Sequence, residues 1–275
     1  MENPKLMGDS VIFEGAAYFR QRLTFSLLSG KPVVIREIRP FDDNPGLRDF
    51  EMTLLKLLDI VANGTSAKIN KTGTQVVFQP GMLTGGSVNF DCGNLKSLGY
   101  FLEPLVFLGP FCKLPIRATL SGVTNCSKDV SVDTIRAAWL PVMRRFMRDD
   151  EGLELKIERR GLFPSGGGQI TFSCPICRDL RPAQVENSGK IKKIRGIAFT
   201  CKVNPSMANR MIESAKERLR GYLADVYVAV DARRGEGAGR SPGFGCVLYA
   251  ETTEGVFYCG QAVSRPKKTS LKKNH

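Results

Sequence analysis

Within residues 18–174 one order of elements occurs twice, and no other feature of the chain restricts its fold as strongly. Residues 18–29 read as a short helix, and 31–39 as a β-rich run closed by the turn formers Asp42-Asp43-Asn44-Pro45-Gly46. Residues 47–61 follow as a helix, because Phe50, Leu54, Leu57, Leu58 and Val61 recur at three and four residues and define one apolar face. Asn63-Gly64 supplies its stop signal. Strands over 67–71 and 74–79 flank Thr72-Gly73 as a hairpin, and 86–90 adds a third strand.

The second copy opens with a helix over 95–108, then a strand over 114–120, a polar loop, and a helix over 132–147. Leu155-Lys156-Ile157 matches Ala67-Lys68-Ile69, and Gly161 matches Gly73. With one gap, the run from Gly167 to Cys174 matches the run from Gly85 to Cys92. Helices beside a small sheet must bury the sheet's exposed face, so the two units are expected to pair into one layered α/β body.

From Arg178 the pattern changes. Residues 178–220 carry eleven Lys and Arg against four Asp and Glu, with Lys190, Lys192, Lys193 and Arg195 close together. A strand over 196–203, a helix over 205–222 and a strand over 225–230 imply a parallel crossover. Ala208, Met211, Ile212, Ala215, Leu219 and Tyr222 form the helix's apolar stripe. Strands over 244–250 and 255–263 close a hairpin, so this region reads as a small α/β domain of its own.

Charge narrows the partners. Forty Lys and Arg against 27 Asp and Glu give a net charge of +13, which favours polyanions such as RNA or an anionic membrane. No uninterrupted apolar run reaches the ~20 residues that span a bilayer, and residues 1–10 lack a signal core, so no membrane role is expected. Eight scattered cysteines in a chain of this length read as reduced thiols. Cys174-Pro-Ile-Cys177 has a zinc-compatible spacing but no second pair of ligands, so no metal is assigned.

Catalytic chemistry needs a nucleophile beside a base, or a metal, and His275 is the only histidine, so no catalytic residue is assigned. Asp129, Asp133, Asp149 and Asp150 fall at helix starts or in loops, where capping and solvation account for them. Gly166-Gly167-Gly168 and Gly235-Glu236-Gly237-Ala238-Gly239 offer amides that could approach a phosphate. Neither is a P-loop or a dinucleotide fingerprint. For the second run a plain loop is favoured; for the first, both readings stand. Lys190, Lys192, Lys193 and Arg195, flanked by strand formers, read as a fixed basic surface able to neutralise phosphates.

Several stretches together resemble the RNA 3′-terminal phosphate cyclase superfamily, and more closely its non-cyclising, cyclase-like branch. They include Phe19-Arg20-Gln21-Arg22-Leu23, Asp42-Asp43-Asn44-Pro45-Gly46-Leu47-Arg48-Asp49-Phe50-Glu51, Gly122-Val123-Thr124-Asn125, Arg159-Arg160-Gly161, Lys192-Lys193-Ile194-Arg195-Gly196 and Ser241-Pro242-Gly243-Phe244-Gly245. The resemblance implies an α/β fold of repeated helix–sheet units, 11–92 and 93–181, within a large domain over 1–181. It also implies an inserted small α/β domain over 182–263, a basic tail over 264–275 outside the family pattern, and a third unit that is missing here. In the cyclases a Glu-Gly-Gly-Gly-Gln run precedes the arginine matched by Arg20, where this chain has Glu14-Gly15-Ala16-Ala17-Tyr18-Phe19. Their Gln-His pair is replaced around Phe50-Glu51, and their adenylated histidine belongs to the missing unit.

These departures imply a non-cyclising factor for 18S rRNA maturation and small-subunit assembly in the nucleus and nucleolus, without a cofactor. The implied partners are a ribosome-assembly GTPase and pre-rRNA in the small-subunit processome. Candidate RNA contacts are Arg20, Arg39, Arg159 and Arg160, together with Lys190, Lys192, Lys193 and Arg195. The alternatives are an RNA-processing enzyme, either a pre-rRNA endonuclease or a residual RNA 3′-phosphate cyclase, and a truncated isoform without function.

Overall fold

The chain builds three four-stranded sheets, each begun by a parallel pair of strands joined through a helix; the structure, a computed structural model, describes residues 10–264. In the first, β1 (Val11–Glu14) and β2 (Val33–Arg36) run parallel because α1 (Phe19–Ser29) returns the chain between them. Gly30, at φ +69°, ends α1 and donates its N–H to the Ser26 carbonyl. Next, α2 (Asp49–Val61) buries Leu54, Leu57, Leu58 and Val61. A short strand, β3 (Ala62–Asn63), then leads to the hairpin of β4 (Ser66–Ile69) and β5 (Val76–Gln79), giving the order β1-β2-β5-β4. Met82–Leu83 forms β6, antiparallel to β3.

The second sheet repeats this plan. β7 (Gly85–Asp91) and β8 (Leu114–Gly122) are parallel around α3 (Leu98–Leu108). A helical stretch follows as α4 (Val132–Thr134), a π turn (Ile135–Trp139) and α5 (Leu140–Phe146). The hairpin of β9 (Glu154–Arg159) and β10 (Gly168–Cys174) completes the order β7-β8-β10-β9. The strand expected over 86–90 is therefore not the third strand of the first hairpin. It opens the second sheet, and its counterpart is β1, which sequence pattern alone does not assign. β7 and β10 both flank β8, so the glycine-led match between them joins strands in different positions. One continuous core, including Leu23, Leu54, Phe101, Leu102 and Phe172, spans both sheets and their helices.

In the third sheet, β11 (Ile191–Cys201) and β12 (Val226–Arg233) run parallel around α6 (Ser206–Leu219), and β13 (Gly243–Thr252) and β14 (Phe257–Val263) add an antiparallel hairpin. Its own small cores contain Phe199 with Val247, and Ala198 with Ala208 and Val228. Tyr222 is not part of the helical stripe: α6 stops at Leu219, and Tyr222 is 86% exposed beyond it. The strand begins at Ile191 rather than 196, so Lys192, Lys193 and Arg195 lie on it. Among the described residues no helix is long and apolar enough to cross a membrane.

Candidate functional site

Two charged assemblies and one strip contain the arginines and lysines singled out by the sequence. The first assembly joins the two units over an aromatic floor. Arg20, in the first turn of α1, pairs with Glu103 of α3 at 2.6 Å, and its guanidinium lies 4.6 Å from the centre of the Tyr100 ring. Gln21 Nε2 donates to the other Glu103 oxygen at 2.7 Å. Phe50 meets Tyr100 edge to face at 5.5 Å, and Lys96 Nζ sits 4.9 Å from the Phe50 ring while pairing with Asp129 at 3.0 Å. Arg39 grips Glu51 with two hydrogen bonds of 2.8 and 2.7 Å. Glu51 is buried and also accepts the Arg48 N–H at 2.8 Å, which caps the start of α2. Burial, reinforced by Glu51, pushes the Tyr100 hydroxyl upward, so the phenol stays neutral.

Each of Arg20, Arg39 and Lys96 is thus answered by a carboxylate. The assembly can hold the two units in register and offer guanidinium edges to a phosphate; it contains no nucleophile beside a base. Nearby, the Gly15 carbonyl accepts a hydrogen bond from Arg22 at 2.8 Å, and Tyr18, at φ 53°, projects into solvent.

The second assembly centres on Arg160, just past β9. Its side chain has no exposed surface. It makes two bonds to Asp133 (2.6 and 3.1 Å), one to Asn125 (2.7 Å) and two to Asp231 of β12 (3.0 and 2.7 Å). The guanidinium also stacks 4.3 Å from the centre of the Phe199 ring. Burial raises the Asp133 carboxyl, but Arg160, joined by Asn125 and Arg136, more than offsets this and holds it below its ordinary value. Two expectations are corrected here. Arg160 cannot reach RNA, because its side chain has no exposed surface and every donor is already bonded within the fold. Asp133 is a buried ion-pair partner, not a solvated helix-start residue.

The glycine runs belong to the same seam. Arg160 N–H donates to Gly237 O at 3.0 Å, Gly239 N–H to Arg160 O at 2.7 Å, and Arg240 N–H to Gly166 O at 2.9 Å. A Cβ on Gly239 would stand 2.4 Å from the Gly166 oxygen. Both runs therefore serve close backbone packing between the second and third sheets. This resolves the open alternative for Gly166–Gly168 in favour of structure.

The strip on β11 is less positive than its composition. Lys192 and Lys193 share Glu251 at 2.6 and 2.8 Å, and Arg195 pairs with both oxygens of Asp225 at 2.7 and 2.9 Å. Hydrogen bonds from Arg195 hold the Asp225 carboxyl below its ordinary value. Lys190 and Arg159 are exposed.

A further basic group is not visible in the sequence because three segments contribute to it. Lys202 N–H donates to Arg233 O at 3.2 Å and Lys202 Nζ reaches Arg240 O at 3.5 Å, while Arg234 and Arg240 are exposed. The adjacent Arg233-Arg234 pair is the only local signal.

Burial pushes the Cys112 and Cys201 thiols up to about 11 and Cys174 to about 12, so none is a poised nucleophile. Among the described residues no three His, Cys, Asp or Glu side chains are placed to hold a metal ion. His275 and the tail over 265–275 lie outside the described residues.

The chain is 51% identical over 265 residues to the probable RNA 3′-terminal phosphate cyclase-like protein of Caenorhabditis elegans, covering 96% of this chain and 70% of that protein. The human RNA 3′-terminal phosphate cyclase-like protein is 49% identical, covering 94% and 69%. The rRNA processing protein rcl1 of Schizosaccharomyces pombe is 41% identical, covering 93% and 72%. The family model described as RNA 3′-terminal phosphate cyclase matches residues 11–256, which take in both repeated sheets and most of the third. With that match across units whose element order repeats in three dimensions, the chain belongs to the RNA 3′-terminal phosphate cyclase family.

Proposed function

We propose that this protein acts in rRNA processing as a non-cyclising binding factor for 18S rRNA maturation and small-subunit assembly. The observation that carries the reading is the state of Glu51. Where the resemblance expects a Gln-His pair, a buried carboxylate caps α2 and pairs with Arg39, so no imidazole stands at that position. A transferred nucleotide needs a nucleophile in contact with groups that stabilise developing charge. The rRNA-processing name of the fission-yeast relative supports the pathway.

In this reading the protein works in the nucleolus, docked on a ribosome-assembly GTPase and touching pre-rRNA within the small-subunit processome. Exposed cations make the RNA contact: Arg159 and Lys190, the outer edges of Lys192, Lys193 and Arg195, and the fold-assembled Lys202, Arg234 and Arg240. Such contacts give salt-sensitive affinity with little sequence preference.

Crosslinking the tagged chain in cells and sequencing the attached RNA should enrich pre-18S species; enrichment of unrelated RNA alone would overturn the pathway. Incubation with labelled ATP and a 3′-phosphorylated oligonucleotide should yield neither nucleotidylated protein nor a 2′,3′-cyclic end. Either product would place the protein among the enzymes.

A further inference from the structure

One side of the third sheet packs on α6 through Ala198, Val228 and Leu248, so the odd-numbered residues of β11, β12 and β13 point to the other side. At one end of that other side the second unit covers the strands. Phe199 and Val247 are buried with Leu162 there, and Gln261 of β14 donates to the Cys126 and Asp129 carbonyls at 3.1 and 2.8 Å.

At the opposite end the strands are open. Their register puts Tyr227 of β12, Arg195 of β11 and Tyr249 of β13 in one cross-strand row. Neighbouring strands stand about 5 Å apart, so the row alternates ring, cation and ring. Tyr227 is 62% exposed, on the edge strand opposite β14, while Arg195 and Tyr249 are partly exposed. Tyrosine is a good strand former, so one exposed ring is ordinary; two rings flanking a guanidinium are a different arrangement. Asp225 holds the edge of Arg195 with bonds of 2.7 and 2.9 Å, and hydrogen bonds in that plane leave the faces of the guanidinium for stacking. Burial raises the Tyr249 hydroxyl, while Arg136, Arg195 and Lys193 act on it in the opposite sense. Cations from the sheet and from the second unit's π turn thus converge on one ring.

We propose that this row is a stacking platform for single-stranded RNA, with an unpaired base on each of Tyr227 and Tyr249 and the phosphates along Arg195, Lys193 and Arg136. The inference deepens the RNA reading above and rests on it. Aromatic rings on the strands of a four-stranded sheet can stack two or three splayed bases, and every base has a face to offer, so the site tolerates many sequences. A duplex keeps its bases stacked inside and cannot use it. Charge selects the occupant. Lys190, Lys192, Lys193 and Arg195 outnumber Asp225 and Glu251 around the row, and an apolar segment laid there would desolvate those cations without replacing their water. Stacking releases no counterions, so the rings set the affinity that survives at high salt and the cations set the salt slope.

The test titrates the nuclease-treated full chain with a short fluorescent oligouridine over a series of salt concentrations, with circular dichroism to check that each variant is folded. Tyr227→Ala is expected to weaken binding by about 5- to 150-fold at every salt concentration without changing the slope, and Tyr227→Trp to keep wild-type affinity. Duplex RNA should bind wild type and Tyr227→Ala alike. Nitration by tetranitromethane, read by mass spectrometry, should modify Tyr227 in the free chain and spare it once the oligonucleotide is bound, while the exposed Tyr18 reacts in both states. Undiminished binding of the single strand by Tyr227→Ala, an equal loss on the duplex, or a Tyr227 that resists nitration before RNA is added would each overturn the platform and leave the RNA reading in place. A wild-type chain that binds neither RNA would overturn both.

Discussion

The seam around Arg160 and the strip from Lys190 to Arg195 both pair basic side chains with carboxylates, yet they stand at opposite ends of the energetic scale. In the seam, Arg160 and Asp133 are both fully buried, and every donor has a partner. Such a pair is costly to desolvate and more costly to break. On the strip, Lys192 and Lys193 are 42% and 34% exposed and share one carboxylate, so water and salt replace each bond at little cost. Basic residues are closer together in sequence on the strip, but burial decides which cations hold the fold and which remain available to a polyanion.

Replacing Arg160 by Ala breaks the buried side of this contrast and should have the largest effect. Asp133 then keeps only Asn125 and the partly exposed Arg136, and Asp231 only Arg233, at a cost of about 3–5 kcal/mol in urea unfolding. A loss under about 1 kcal/mol would mean that water enters the seam and the contrast fails. The pH profile sharpens the same point. Asp133 is held below its ordinary value in the folded chain, so its contribution is present above the unfolded carboxyl value of about 3.9 and lost as pH falls through the folded one. Wild type should therefore lose stability on acidification more steeply than Arg160→Ala.

A smaller effect is expected from Gly239→Ala, whose Cβ would sit 2.4 Å from the Gly166 oxygen and 2.8 Å from the Gly161 Cα. Backbone must move on both sides of the seam, at a cost of about 1–3 kcal/mol. Unchanged thermal unfolding would show that the two glycine loops are not packed in solution. Glu51→Ala tests the intermediate case, a buried carboxylate serving a partly exposed arginine. Loss of the α2 cap should cost about 0.5–2 kcal/mol, because Arg39 can turn to water.

The smallest stability change belongs to the strip. Exchanging Lys190, Lys192, Lys193 and Arg195 for Ala should leave the unfolding midpoint nearly unchanged while reducing the salt dependence of RNA binding, by about 0.7 in log–log slope for each phosphate of a single strand no longer neutralised. An unchanged slope would remove the strip from the RNA interface and leave the group at Lys202, Arg234 and Arg240 as the basic surface to test.

Local pattern was enough for most of the elements and for the family. Period-three-and-four apolar residues place α2, the turn at Thr72-Gly73 places the hairpin of β4 and β5, and short motifs in a fixed order identify the fold class. These are properties of neighbouring residues, and the chain encodes them wherever it is cut. What tertiary structure alone decided are the pairings between distant residues. It moved 85–91 from the first sheet to the second, because a parallel partner lay across α3. It drew Arg160, Asn125, Asp133 and Asp231 into one buried cluster, and it committed two glycine runs to packing rather than to phosphate. Adjacent arginines such as Arg159 and Arg160 are equivalent in sequence, yet one faces water and the other is sealed. Burial is a property of what folds back over a residue, and that depends on segments far along the chain.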